Sequence, residues 1–375
     1  MMAEALPPGS VIGIVGGGQL GRMLAQAAAK LGLRASIFAP EEDSPAFDVA
    51  AFKHCAGYDD IAALERFADE ADAVTFEFEN IPSDALAVIE RRSRLAPPRR
   101  ALEAAQDRLA ERRLLTSIGL PCAPHMVVPG ATELPEAYAN LAGDRSGARF
   151  FLKRARLGYD GKGQMRITDA ADIAKAQTWL GEDAALLECE VAFRLELSAL
   201  CVRDAGGAMA FYDLPQNIHG DGILRQSIVP AAIPPAIGDM ARDYAGRIAA
   251  ELGYVGVLAM EMFLAEEGNE PRLLINEFAP RVHNSGHWTL DACAISQFEN
   301  HIRAVAGWPL GATDRHSDAR LVNLLGSEAD DWRALLQQHP ARSLTLYGKH
   351  EGRPGRKMGP GSRSEERRVG KECRS

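Results

Sequence analysis

Between Val11 and Phe76 apolar segments alternate in two periods. Val11 to Val15 is a continuous apolar run, Leu20 to Leu31 has the apolar face of a helix, and Arg34 to Phe38 and Ala73 to Phe76 are again strand-like. Strands that alternate with helices pair in parallel and are covered on both faces, so this order predicts a doubly wound α/β sheet. Such sheets bind ligands at the carboxyl ends of their strands. Two segments fall on that edge: Gly16-Gly17-Gly18-Gln19-Leu20-Gly21 after the first strand, and the acidic turn Glu77-Phe78-Glu79-Asn80 after the last.

Pro97-Pro98 and Arg99-Arg100 mark a linker, and an Ala/Leu/Arg-rich helix is expected over about Ala101 to Ile118. From Phe150 onward the pattern becomes α+β. Strands are expected at Phe150 to Leu152, Ala184 to Glu190, Leu195 to Val202, Gly256 to Phe263 and Arg272 to Phe278, with a helix over Pro235 to Leu252. Arg320 to Leu325 and Ser343 to Tyr347 read as strands of a small closing subdomain. Pro360 to Ser375 has one large apolar residue and reads as a non-native tail outside the fold.

The chain has 375 residues, 46% hydrophobic and 25% charged, which is enough for two or three cores. Its most apolar stretch, Tyr254 to Ala265, is about half a bilayer span and carries Glu261. Met1 to Ser10 has Glu4 and prolines where a secretory signal would be basic and then apolar, so a cytoplasmic location is expected. Six scattered cysteines without a CxxC pair read as reduced thiols. A net charge of −9 leaves no footprint for nucleic acid.

Several segments carry chemistry. The glycine turn, between a strand and a helix, aims backbone N–H groups at an anion, and Gly18, Gln19 and Leu20 with Glu77 are its candidate substrate contacts. A tight packing turn is the alternative. A nicotinamide site would require an acid after the second strand, where Phe38-Ala39-Pro40 stands. Lys153 ends a strand, and Gly158-Tyr159-Asp160-Gly161-Lys162-Gly163-Gln164 follows, a loop able to fold over phosphates; an exposed hairpin is the plainer alternative. Glu261 and Glu277 lie in apolar strands, where carboxylates are costly to bury unless paired or bound to a cation, and together they could hold magnesium. The alternative is a pair of surface acids. Arg281, His283, Asn284 and His287 crowd the segment after Glu277 and suit an anionic intermediate. Arg353, Arg356 and Lys357 among glycines form either a phosphate clamp or a solvated basic turn.

Taken in order, the glycine turn, Lys153 with its loop, Gln216-Asn217-Ile218-His219, Gly253-Tyr254-Val255-Gly256-Val257, Asn276 to Trp288 and Gly355 to Gly359 resemble the 5-(carboxyamino)imidazole ribonucleotide synthetases of the ATP-grasp superfamily, over about residues 10 to 359. The resemblance implies an ATP-grasp fold in the following parts: an N-terminal domain over 1–104, an ATP-grasp domain over 105–310 with its lid at about 121–190, and a small C-terminal subdomain over 311–359. Because Pro360 follows Gly359 where that family continues into a histidine and further residues, the last part is expected to be truncated.

The resemblance also implies roles. Arg108, Lys153, Gly158 to Gln164, Glu188, Glu196, His219, Asn276 and Glu277 would hold ATP. Glu261 and Glu277 would be ligands of magnesium, two ions being expected. Arg281, His283, Asn284 and Lys153 would act on the intermediate, and Tyr159, Asp160, Lys162, Arg356 and Lys357 on the ribonucleotide. Implied partners are ATP, bicarbonate and 5-aminoimidazole ribonucleotide, with no organic cofactor and a homodimeric assembly. The runner-up is the glycinamide ribonucleotide formyltransferase of the same superfamily. Biotin-carboxylase-like enzymes are disfavoured because Ala279 stands where they carry asparagine.

Overall fold

The computed structural model describes residues 4–143, 145, 147–156, 158, 163–268, 270–349 and 355–365. Its first unit runs β1 (Val11–Val15), α1 (Gln19–Lys30), β2 (Arg34–Ala39), β3 (Phe52–Cys55), α2 (Ile61–Glu70), β4 (Ala73–Phe76) and α3 (Ser83–Glu90). The sheet is all parallel in the order β3-β2-β1-β4. Every residue of β1 and β4 is buried, as apolar runs covered on both faces must be.

The helix expected over 101–118 is two helices, α4 (Arg99–Gln106) and α5 (Arg108–Ser117). Asp107 between them is extended, and its carboxylate accepts from the N–H groups of Leu109 and Ala110, restarting the helix. That break aims Arg108 and Arg112 into the cleft described below.

A four-stranded antiparallel sheet follows, in the order β5-β8-β6-β7. It consists of β5 (His125–Val128), β6 (Phe150–Arg154), β7 (Gln164–Ile167) and β8 (Ala185–Cys189), with helices α6 (Leu134–Ala142) and α7 (Ile173–Leu180) closing its own apolar core.

The largest sheet is antiparallel throughout, in the order β14-β13-β9-β11-β12-β15-β17-β16 with β10 on β9. Its strands are β9 (Phe193–Arg203), β10 (Met209–Phe211), β11 (Gln216–Gly220), β12 (Ile223–Val229), β13 (Gly256–Glu267), β14 (Glu270–Ala279), β15 (Asp318–Leu325), β16 (Arg342–Leu344) and β17 (Lys357–Glu365). The helices α8 (Pro235–Glu251), α9 (Thr289–Ala292), α10 (Gln297–Val305) and α11 (Trp332–Gln338) complete the chain. Residues 360–365, expected to lie outside the fold, continue β17 between β15 and β16. Small residues suit this place: a Cβ on Gly359 would lie 2.2 Å from the Thr345 carbonyl oxygen. Ladder hydrogen bonds, not apolar side chains, hold the segment, which is why composition missed it.

Candidate active site

The cleft is built on one irregularity in the ladder. Glu261 on β13 faces Glu277 on β14, but Met262 faces Ile275, so Asn276 is an extra residue in β14. Such a bulge breaks the alternation of faces. Ile275 and Phe278 both enter the core beneath the sheet, while Asn276 and Glu277 both stay half-buried at the cleft.

A network of opposite charges surrounds them. Arg108 Nη1 donates to Glu277 Oε2 at 2.9 Å. Lys153 Nζ lies 2.7 Å from Glu188 Oε2 and 3.4 Å from Asn276 Oδ1. Arg112 Nε donates to the other Glu188 oxygen at 2.8 Å, and its Nη1 reaches Glu111 at 3.2 Å. Burial works against the charge of Glu188, yet Lys153 and Arg112 outweigh it and hold this carboxyl at about 2. Glu111, equally buried and also accepting the Phe278 N–H at 2.8 Å, is pushed up to about 7.

Across the cleft, desolvation and the nearby Glu277 push Glu261 up to about 7. Desolvation works the same way on Glu277, but Arg108 and Lys153 hold it below the ordinary carboxylate value. Glu196 accepts from His219 Nδ1, and despite desolvation this contact raises the histidine above its usual value. His283 Nε2 sits 3.3 Å from Glu261 Oε1. Desolvation, then Arg281 and Lys357, hold His283 well below 6.5 and therefore neutral. Gln297 clamps it: the His283 N–H donates to Gln297 Oε1 at 2.9 Å, and Gln297 Nε2 donates back to the His283 carbonyl at 2.6 Å. The side-chain nitrogen and oxygen of Asn284 are buried with no partner among the described residues. A buried amide of this kind is costly unless a ligand completes it.

The N-terminal unit closes the other wall. Gly16 has φ +113, and a Cβ there would meet Glu77 at 2.8 Å. The turn therefore lets the Gly18 N–H donate to Glu77 Oε1 at 2.6 Å. Glu79 pairs with Arg281 at 2.9 Å, linking the acidic turn to the segment after β14.

Three family models match the chain in sequence: a ribonucleotide synthetase preATP-grasp domain over residues 10–106, an ATP-grasp domain over 113–298, and a phosphoribosylaminoimidazole carboxylase C-terminal domain over 319–359. The N5-carboxyaminoimidazole ribonucleotide synthase of Brucella melitensis is 47% identical over 371 residues, covering 98% of this chain and all of that protein. The chain belongs to this synthase family. A crystal structure of an N5-carboxyaminoimidazole ribonucleotide synthetase with ADP superposes with a TM-score of 0.92 at 38% identity, covering 97% of this chain and 95% of the other. The Aspergillus clavatus synthase in complex with ADP and 5-aminoimidazole ribonucleotide superposes at 0.86 with 28% identity, covering 96% and 94%.

Members of the N5-carboxyaminoimidazole ribonucleotide synthase family are ATP-dependent carbon–nitrogen ligases, and this chain is accordingly an enzyme that carboxylates 5-aminoimidazole ribonucleotide at the cost of ATP. The structure joins Arg108, Lys153, Glu188, Asn276 and Glu277 in one charged network, sets His283 against Glu261, and lines one pocket with Glu196, His219, Glu261 and Asn276, while Asn284 follows His283 with its amide buried. Glu188 has both oxygens engaged by cations, so it holds Lys153 in place. Gln164 opens β7 opposite Lys153, and Gly158 and Gly163 flank Tyr159, Asp160, Gly161 and Lys162, which lie outside the described residues, as does Arg353. The Leu20 side chain enters the core, leaving its backbone for the glycine turn. Lys357 begins β17, and the Arg356 carbonyl accepts from the Gly326 N–H at 2.9 Å. Sequence reasoning missed Arg112, one basic residue among several in a basic helix, and Gln297, whose role exists only through its contact with His283.

Proposed function

We propose that ATP is held by Arg108, Lys153, the Gly158 to Gln164 loop, Glu196, His219, Asn276 and Glu277, and that bicarbonate attacks its γ-phosphoryl group to give carboxyphosphate and ADP. The observation that carries this reading is the Glu261–Glu277 pair, with Arg108 and Lys153 on the Glu277 side and His283 against Glu261. The pair suits magnesium: Glu261 is a half-buried carboxylate whose raised proton affinity marks missing positive charge, and hard cations prefer oxygen donors. Two ions, held by Glu261 and Glu277, would neutralise charge on the phosphates.

Lys153, held by Glu188, and Arg281, held by Glu79, supply fixed positive charge toward the transferring oxygens. Gly18, Gln19, Leu20, Glu77, Arg356 and Lys357 bind the ribonucleotide, together with Tyr159, Asp160 and Lys162. Its amine takes the carboxyl group from carboxyphosphate, or from carbon dioxide released by it, and phosphate leaves. His283 and Asn284 orient that intermediate, which must be kept from bulk water because carboxyphosphate hydrolyses easily. The family resemblance further supports a homodimer working in the cytoplasm, which sedimentation and fractionation would test. The decisive assay is ADP release with bicarbonate, with and without 5-aminoimidazole ribonucleotide. Carboxylated product formed in step with ADP supports the reading, and turnover with formate in place of bicarbonate sinks it.

A further inference from the structure

Behind His283 a file of buried polar side chains crosses three strands, and its middle member, Asn217, also lines the pocket formed by Glu196, His219, Glu261 and Asn276. Ser227 Oγ on β12 donates to Asn217 Oδ1 on β11 at 2.8 Å, and Asn217 Nδ2 donates to Ser198 Oγ on β9 at 3.0 Å. Ser198 Oγ donates to Ser285 Oγ at 2.7 Å, and Ser285 Oγ lies 2.8 Å from His283 Nδ1. The three serines are fully buried and Asn217 is 4% exposed, so protein groups rather than solvent supply the partners of the file.

The amide fixes the two bonds it makes, because its nitrogen only donates and its oxygen only accepts. Each hydroxyl has one proton and two acceptor sites, so the polarity at the His283 end is set by the backbone N–H of Ser285, 3.3 Å from Nδ1. Ser198 accepts from Asn217 and donates to Ser285, whose own proton is then free for His283 Nδ1. With the backbone N–H donor on Nδ1, that nitrogen carries the lone pair. The ring proton then belongs on Nε2, the atom 3.3 Å from Glu261 Oε1.

We propose that Asn217, Ser198 and Ser285 are positioning residues that hold His283 as the Nε2–H tautomer, so that it presents a hydrogen-bond donor to the cleft and has no lone pair with which to take the amine proton. The inference rests on the reading of His283 as a group that orients the carboxylated intermediate. A neutral donor suits an anion there, and the same N–H aligns one Glu261 oxygen while leaving the other available. The amine proton must then leave by another base or with the departing phosphate.

The test is nitrogen NMR of the full-length enzyme labelled with 15N-histidine, the His283 signals being identified by their loss in His283→Asn. Wild-type enzyme is expected to show a protonated Nε2 and an unprotonated Nδ1 at neutral pH. A protonated Nδ1 overturns the proposal without recourse to any variant. Ser198→Ala, which cuts the file one residue behind Ser285, is expected to mix the tautomers and lower kcat about 10-fold with the KM for ATP unchanged. Ser198→Thr, which restores a hydroxyl, is expected to recover both. An unchanged spectrum and unchanged kcat in Ser198→Ala overturn the proposal. Full turnover in His283→Ala would instead overturn the role of His283 itself, an outcome the tautomer measurement does not depend on.

Discussion

Glu261 and Glu277 stand directly opposite each other across β13 and β14, yet their proton affinities diverge. Burial and its neighbour push Glu261 up to about 7, whereas Arg108 and Lys153 keep Glu277 below the ordinary carboxylate value. The difference comes from helix α5 and strand β6, which deliver both cations to the Glu277 side. One carboxylate is thus matched by the protein's own positive charge, and the other is left in need of it.

Glu277→Gln should lower turnover by at least about 100-fold, because a neutral amide is a weak ligand for a hard cation and leaves Arg108 without its partner. The melting curve should stay close to wild type, the side chain being only half-buried. Wild-type activity with normal magnesium dependence would remove Glu277 from the metal site.

Arg281→Ala and His283→Ala should lower kcat by about 100-fold or more while leaving the KM for ATP within a few-fold, since both residues act on a species formed after ATP has bound. Equal losses in nucleotide affinity and turnover would refute that division of labour.

Arg112→Ala should destabilise the protein by about 3–5 kcal/mol, because Glu111 and Glu188 would be left buried without their shared cation. Denaturant unfolding measures it. A loss under about 1 kcal/mol would mean the cluster is more solvated than its burial implies.

His301 is expected to make stability fall in acid. It is fully buried, its Nδ1 accepting from the Val257 N–H at 3.0 Å and its Nε2–H donating to Thr75 at 2.8 Å. Burial pushes its folded value down to about 3, whereas unfolded it protonates near 6.5. Between those values the unfolded chain holds the extra proton, so stability declines as pH falls, by up to about 1.4 kcal/mol per pH unit. His301→Gln should be less stable at neutral pH but lack this part of the slope. Parallel curves for wild type and variant would show that His301 does not titrate as assigned.

Ending the chain after Gly359 should lower stability and promote aggregation, because residues 360–365 pair with β15 and residues 361–363 also with β16, and their loss would bare a sheet edge. Unchanged melting and solubility would show that the strand contributes nothing.

Local pattern was enough for the parallel N-terminal sheet, whose apolar runs and intervening helix can be buried in few other ways. It was also enough to single out Glu261, Glu277, Lys153 and the polar run from Arg281 to His287, because charges inside apolar strands and dense directional groups are costly without a ligand. Tertiary structure decided which of these charges meet. The extra residue at Asn276 turns two neighbouring side chains to one face, a matter of register between strands that neither strand encodes alone. The break at Asp107 aims Arg108 and Arg112, and Ser198, Asn217 and Ser285 become one file only when β9, β11 and the segment after β14 pack together. Polar side chains at ordinary positions carry no periodic signal, and the strand over 360–365 carries none either, because every residue has a backbone carbonyl and all but proline an N–H to pair, Pro360 itself accepting from the Thr345 N–H. Their partners lie far along the chain, and burial in the folded protein gives those contacts their energy.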